Sequence, residues 1–383
     1  MTFSNVSFGD VTDNFDKKRI PLSAAQREKR QGKYRYYGAQ GVIDLVDDYI
    51  FDGTYLLIAE DGENLKSKKS NIAQLASGKF WVNNHAHVIQ CKKGYDIRYL
   101  CYLINLTDLS GYITGSAQPK LSQSSMNAIV LPMPKFEIQK EVADFIEKFD
   151  KKIQINEKVN DNLEQQAVAL FKSWFVDFSL FGGTVPENWE DTTLENITTL
   201  ITRGIAPKYS DNSDQTVVNQ KCIRNHTIDL SLARTHTPKA INEKWLKFGD
   251  LLINSTGDGT LGRVAQVWFA PKALTVDSHV TIVRPAREEL IFYIGLWGIL
   301  HEKEIESLHT GSTGQTELPR DRVKMLKLLL PDNISLSRFN PIIAPMASTI
   351  ILNQEENQKL ASLRDTLLPK LMSGEIDVSS IQL

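Results

Sequence analysis

The chain has 383 residues, 42% hydrophobic and 23% charged, the makeup of an ordinary folded protein and more length than one core usually organises. Its 44 Lys/Arg against 46 Asp/Glu, a formal net charge of −2, exclude a uniformly basic, indiscriminate nucleic-acid binder but leave room for local basic patches. The N-terminus lacks an apolar signal core, the most apolar stretch (Leu290 to Leu300) is too short to span a bilayer, and Cys91, Cys101 and Cys222 are scattered, so the expected setting is cytoplasmic, with free thiols and no membrane contact.

In chain order, the sequence opens on Phe8-Gly9-Asp10-Val11. It then concentrates eight Lys/Arg between Lys17 and Arg35, with Asp16 and Glu28 as nearby acids and Tyr34, Tyr36, Tyr37 and Gln40 at the end of the run. Such residues can neutralise phosphates or reach base edges, which makes Lys33, Arg35, Tyr37 and Gln40 candidate DNA contacts against the plainer reading of a solvated face. Phe51 to Gly62 reads as a short buried strand running into a turn. His87-Val88 precedes another apolar strand, Thr114-Gly115-Ser116 is a glycine turn, and Leu131-Pro132 closes a strand-rich part of about 125 residues.

From Ile138 the apolar positions recur at Val142, Phe145, Phe149, Ile153, Val159, Leu163, Ala167, Leu170 and Trp174. Steps of three and four over this length predict a helix of roughly 50 Å with a narrow seam. Phe171, Trp174, Phe175, Val176, Phe178 and Phe181 crowd its end. They serve either to close a domain onto the helix or to dock another subunit.

The chain then repeats itself. Leu194-Glu195-Asn196-Ile197 answers the opening, and Arg203, Lys208, Lys221, Arg224, Asn225 and His226 form a second basic group. Phe248 to Gly259 answers Phe51 to Gly62, and His279-Val280, Thr310-Gly311-Ser312 and Leu330-Pro331 answer their counterparts. The second seam runs Ala347, Ile350, Leu360, Leu363, Leu367 and Leu371 and stops at Ser373-Gly374. Pro341 and Pro345 predict an irregular start. The clearest echo is 155–163 against 352–360, at the offset of 197 that separates Asn156 from Asn353. Both asparagines interrupt their seams: either they face solvent, or amides across an antiparallel pair fix register. A seam this narrow buries one neighbour, and the other helix of the same chain is the obvious one.

No catalytic constellation is present: no glycine-rich phosphate loop, no His-Glu-x-x-His, no Gly-x-Ser-x-Gly and no Cys-x-x-Cys. His85 and His87 lie two apart without a third ligand, and satisfied polar residues outrank a metal site there. Two related domains on a fixed spacer suit a target with two separated elements, such as duplex DNA.

The combination of Tyr36-Tyr37-Gly38-Ala39-Gln40-Gly41, Leu57-Ile58-Ala59-Glu60-Asp61-Gly62, Phe171-Lys172-Ser173-Trp174-Phe175-Val176-Asp177-Phe178, Gly183-Thr184-Val185-Pro186-Glu187-Asn188-Trp189 and the run Asn357 to Gly374 resembles the specificity subunits of type I restriction-modification enzymes. The resemblance covers essentially the whole chain. It implies an α+β fold in which two mixed, strand-rich target-recognition domains are separated by an antiparallel two-helix coiled coil in a pseudo-two-fold arrangement. The divisions it implies are a first recognition domain at 1–135, a first spacer helix at 136–178, a second domain at 179–337, a second spacer helix at 338–375 and a tail at 376–383.

The same resemblance implies a non-catalytic, sequence-specific subunit whose domains each read one half of a bipartite double-stranded DNA site. Two methyltransferase subunits would supply S-adenosylmethionine chemistry, and restriction subunits would use ATP and Mg2+; this chain would bind no cofactor or metal. Carried over by position, the glycine loops add Ser116, Gln118 and Lys120, and Ser312, Thr313 and Gln315, to the DNA candidates beside Arg203, Lys208, Lys221, Arg224 and Asn225. Helix packing falls to Phe145, Phe149, Ile153, Asn156, Leu163, Leu170, Ile350, Asn353, Leu360, Leu363 and Leu367. Subunit docking falls to Phe171, Trp174, Phe175 and Phe178. The competing reading is a non-catalytic two-domain protein-binding scaffold.

Overall fold

The computed structural model describes residues 2–115, 118–257, 259–311, 316–378 and 381. They divide into two compact units, Met1–Ile153 with Gln358–Leu383, and Gln154–Asn357, so each unit holds one globular part and a stretch of both long helices.

The first unit runs β1 (Phe3–Ser7), α1 (Phe8–Val11), β2 (Thr12–Asn14), α2 (Ala24–Glu28), β3 (Gln31–Gly38), β4 (Gly41–Val46), β5 (Phe51–Ala59), α3 (Asn64–Ser67), β6 (Ala73–Val82), β7 (Ala86–Cys91), α4 (Ile97–Leu106), α5 (Gln123–Asn127), β8 (Val130–Pro134) and the start of α6 (Phe136–Phe175). Six strands form one sheet in the order β2-β7-β5-β6-β3-β4, and β1 pairs antiparallel with β8. Because side chains alternate along a strand, β5 feeds two cores. Leu56 and Ile58 pack with Leu100 and Ile104 of α4 and with Val142, Phe145 and Phe149 of α6. Tyr55 and Leu57 face the other way into a cluster with Tyr37, Phe51 and Phe80. That double burial is why 55–59 reads as an unbroken apolar run.

The second unit runs from the rest of α6 through β9 (Glu190–Thr193), β10 (Thr198–Arg203), β11 (Thr216–Val218), β12 (Ile223–Arg224), β13 (Thr227–Ile228), β14 (Arg234–Thr235), β15 (Leu251–Asn254), β16 (Val264–Gln266), β17 (Leu274–Val276), β18 (Val280–Pro285), α7 (Ile291–Leu300), α8 (Glu302–Ser307), α9 (Arg320–Lys324), β19 (Lys327–Leu330) and into α10 (Asn333–Met372). Its sheet β10-β18-β15-β16 repeats the order β2-β7-β5-β6, and the pair β9–β19 repeats β1–β8. The copies part company beyond β6 and β16. The first unit adds β3, parallel to β6, and β4, whereas the second places β11 between β14 and β17 in a separate sheet and makes β12–β13 a hairpin of its own.

Within each unit the two long helices run antiparallel. In the first, Arg364 donates to Asp150 at 2.7 Å. In the second, Asn156, 3% exposed, donates to Asn357 at 2.8 Å and to Glu356 at 2.7 Å, and Asn353 donates to Asn160 at 2.8 Å. Asn156 and Asn353 therefore do not bond each other. Each takes the residue one turn along the opposite helix, and the two bonds are equivalent under the 197-residue repeat. Both amides find partners, which removes most of the cost of burying them.

Phe145, Phe149 and Ile350 are buried and Ile153, Leu163, Leu170, Leu360 and Leu367 are half-buried, but Val159 and Leu363 face outward, Leu363 being 48% exposed. Next to Leu363 it is Arg364 that turns inward, to Asp150. The predicted irregular start of the second helix is also absent. α10 begins at Asn333, ahead of both prolines, with Asp332 accepting the Ser335 N–H at 2.6 Å. Pro341 and Pro345 lie one turn apart and are both exposed, so the carbonyls they leave unbonded face water rather than core. The helix ends as the sequence predicts, with Gly374 left-handed at φ 76° and the Ile376 N–H reaching back to the Lys370 carbonyl. No described helix is long and apolar enough to cross a membrane.

Candidate nucleic-acid interface

The same loop lies on the same strand end in both units. In the first, β5 runs out through Glu60 and Asp61, and the loop 114–120 folds onto it by bridges of Lys120 with both Thr114 and Asp61. Gly115 sits at φ 83°, and a Cβ there would stand 2.3 Å from the Gln118 carbonyl, so the turn admits only glycine. In the second, β15 runs out through Ser255 and Thr256, and Glu317 bridges Thr310 and Thr256 in the same way.

The side chains on this frame differ. Beneath the first loop, His87 Nδ1 is 2.6 Å from Asp16 and its Nε2 2.8 Å from the Leu121 carbonyl. Arg19 donates to Glu60 at 2.8 Å and to the Ala86 carbonyl at 2.7 Å, and Lys120 Nζ is 3.2 Å from Glu60. Burial alone would raise the Glu60 carboxyl, but the Arg19 hydrogen bond, the charge of His87 and the Lys120 hydrogen bond hold it below the usual carboxylate range. Asp16 is likewise lowered, burial being outweighed by hydrogen bonds from His87, Asn14 and the Val88 N–H. Asp16, Glu60 and His87 bring ligand-type atoms within 4.8 Å of one another, but Arg19 and Lys120 already engage the carboxylates, so the set is an ion network.

Beneath the second loop the contacts are mostly neutral. Thr256 is 2.7 Å from His279 Nδ1 and donates to Gln220 at 3.3 Å, and Asn254 donates to the Gln220 carbonyl at 3.0 Å. The ion pair lies on the rim, between Arg203 and Glu317 at 2.7 Å, with Arg203 also donating to the Leu318 carbonyl.

Of the candidates from sequence, Lys33, Arg35 and Gln40 are exposed on β3 and its turn, with Lys33 over the Tyr34 ring. Tyr37 is a correction: it is 4% exposed, its ring edge-on to Phe80 in the core, because this end of β3 is covered on both faces, Tyr36 and Tyr37 entering different clusters. Gln118 is exposed, and Lys120 is exposed but paired. Lys208, Lys221, Arg224 and Asn225 are all exposed, the last three on the segment that leads into the β12–β13 turn. Arg203 is held by Glu317. Ser116, Ser312, Thr313 and Gln315 lie outside the described residues.

The docking set is a second correction. Phe171, Trp174 and Phe175 are buried in the core of the second unit against Trp189, Tyr293 and Phe339, and Phe178 packs half-buried on Trp189. The surplus aromatic surface therefore closes that unit's own core. Sequence reasoning missed the Asp16–Arg19–Glu60 network, in which Glu60 lies 41 residues from Arg19. It also missed the contacts of His226 with Glu164 and Glu302, for which no local motif exists. The cysteines are structural: burial pushes Cys101 up to about 12 and Cys222 to about 11.

Residues 2–165 match the model of the type I restriction modification DNA specificity domain. The specificity subunit of the type I restriction enzyme MjaIX of Methanocaldococcus jannaschii is 26% identical over 358 residues, covering 85% of this chain and 80% of that protein. The HindI specificity subunit of Haemophilus influenzae is 22% identical over 335 residues, covering 67% and 71%. In fold, the chain is similar to the crystal structure of the S subunit of a type I restriction-modification system from M. genitalium, with a TM-score of 0.58 at 15% identity over 97% of this chain and 96% of that one.

Proposed function

We propose that this chain, similar over most of its length to type I restriction-modification specificity subunits, is one of them, and that its two strand-rich domains, 1–135 and 179–337, each read one half of a bipartite DNA site. The helical segments, 136–178 and 338–375, would set the spacing between the halves. Members of this family are non-catalytic. S-adenosylmethionine chemistry then belongs to two methyltransferase subunits, and ATP and Mg2+ to restriction subunits. One observation carries the reading: both units build the same strand order and lay the same loop on the same strand end, yet furnish it with different side chains. A shared frame with individual side chains is what two different half-sites require.

Since the aromatic set is internal, the docking surface for partner subunits falls to apolar residues that the helices leave outside. Ile155 and Leu352, equivalent positions of the repeat, are 56% and 65% exposed.

Coexpression with the methyltransferase subunits and genome-wide mapping of modified adenines should return one bipartite sequence. Exchanging 179–337 for the matching segment of a relative should change one half only, and inserting one helical turn after Glu157 should change the spacing with both halves intact. Changed halves at unchanged spacing would refute the ruler. A complex that retains no duplex, or retains every duplex equally, would favour the scaffold reading.

A further inference from the structure

The β12–β13 reversal consists of two residues, Asn225 and His226, both left-handed at φ 49° and 56°. Such turns favour asparagine followed by glycine. Asn225 fits that rule; His226 departs from it, standing where glycine is favoured and carrying the cost of a Cβ in the left-handed region. Something outside the turn must hold it. Its Nδ1 lies 2.6 Å from a Glu164 carboxylate oxygen on α6, and its Nε2 lies 3.4 Å from Glu302 at the start of α8. Glu302 in turn accepts the Val264 N–H of β16 at 3.1 Å. Cys222, Ile223 and Ile228 root the hairpin in a buried cluster, while Arg224 and Asn225 stay exposed.

We propose that His226 is a positioning residue: by bridging Glu164 and Glu302 it fastens the β12–β13 hairpin to α6, and so fixes where Arg224 and Asn225 meet DNA. The inference rests on the second domain being a DNA reader. A basic hairpin tip held only by its own strands would move as a lever, and hydrogen-bonding to a base edge tolerates little misplacement.

Among the described residues, the charged groups that act on the imidazole are Glu164 from α6 and Glu302 from α8; Arg263, just ahead of β16, acts on Glu302. Hydrogen bonds to Glu164 and then Glu302 outweigh burial and raise His226 from 6.5 to about 9. Glu302 is lowered: burial is outweighed by hydrogen bonds from His226 and the Val264 N–H and by the charges of His226 and Arg263. A raised folded value means the bridge is complete below the ordinary histidine range and is lost as pH rises through about 9.

The test uses the full chain assembled with its methyltransferase subunits and the duplex returned by methylome mapping, with each half-site scrambled in turn, from about pH 7 to about pH 10. The half-site that changes when 179–337 is exchanged should lose about tenfold discrimination above pH 9 in the wild type, and the other half should not. His226→Gln should show that loss at every pH, with no alkaline limb. His226→Lys, which keeps a charge, should restore discrimination at pH 7. Hydrogen exchange of residues 223–228 in the free chain reports the hairpin without DNA. Loosening there with discrimination unchanged, or a wild-type alkaline limb surviving in His226→Gln, would overturn the proposal. A wild-type complex that discriminates no half-site at all would instead refute the recognition reading.

Discussion

The two strand-end loops are built alike and charged differently. In the first unit a basic residue, Lys120, sits at the bridge position and pairs inward with Glu60, completing a network with Arg19, Asp16 and His87. In the second, the same position is Glu317, paired with Arg203; Ser255 answers Glu60, and Thr256, which answers Asp61, meets His279 through a hydroxyl. The histidine at the strand end is kept in both copies, His85 answering His279, since its carbonyl accepts the Glu60 N–H as that of His279 accepts the Ser255 N–H; its side-chain partner changes from the Asp61 carboxylate to the Thr256 hydroxyl. Backbone topology is therefore the shared element, and charge the individual one. Side chains on a constant frame can change what is read without disturbing what holds the frame together.

The strongest way to break this comparison is through the cores. Phe171→Ala should destabilise the second unit by about 3–5 kcal/mol, because the ring is buried against Phe175, Tyr293 and Phe339. Calorimetry should show a lowered transition. A variant with unchanged stability that failed to bind methyltransferase subunits would return the aromatics to a docking role.

Acid should separate the two strand ends. Asp16 and Glu60 titrate below their ordinary values of 3.8 and 4.5, so their contribution is present above those values and is lost as pH falls through the lower folded ones. The Leu121 N–H, bonded to the Glu60 carbonyl, should lose exchange protection below about pH 4, while the Leu318 N–H, bonded to the Ser255 carbonyl, should hold further. Glu60→Gln, which removes a charge-assisted partner of Arg19, should weaken the first strand end by about 2 kcal/mol at neutral pH and flatten this limb. Equal acid lability of both amides would show that the difference in charge has no energetic consequence.

Much of the architecture was legible because duplication is legible. The echo of 155–163 in 352–360 located both helices, and the matched Phe51 to Gly62 and Phe248 to Gly259 located β5 and β15 as equivalent strands. Period alone did not fix the phase of every residue. Leu363 satisfies the spacing of three and four yet faces out, since Arg364 beside it reaches Asp150. Cover on both faces of β3 hid Tyr36 and Tyr37 in the core, where a run of tyrosines among basic residues had the look of a surface. The ion network was illegible for a different reason: Asp16 and Arg19 share one segment, but Glu60, His87 and Lys120 come from three others along the chain, and only the fold brings the four together.

The gentlest test compares cations within one unit. Arg224 and Lys221 are exposed and make no ion pair among the described residues, whereas Arg203 is engaged by Glu317 and by the Leu318 carbonyl. A phosphate can be neutralised at low cost only by a cation that need not first leave a carboxylate. Lys221→Ala and Arg224→Ala should each weaken duplex binding by the assembled complex and lower the slope of log affinity against log salt by about 1. Arg203→Ala should change that slope by less, because binding would release fewer counterions at a site already neutralised within the protein. If Arg203→Ala instead gave the larger slope change, the Glu317 pair would have to open on DNA, and the paired and unpaired cations would exchange roles.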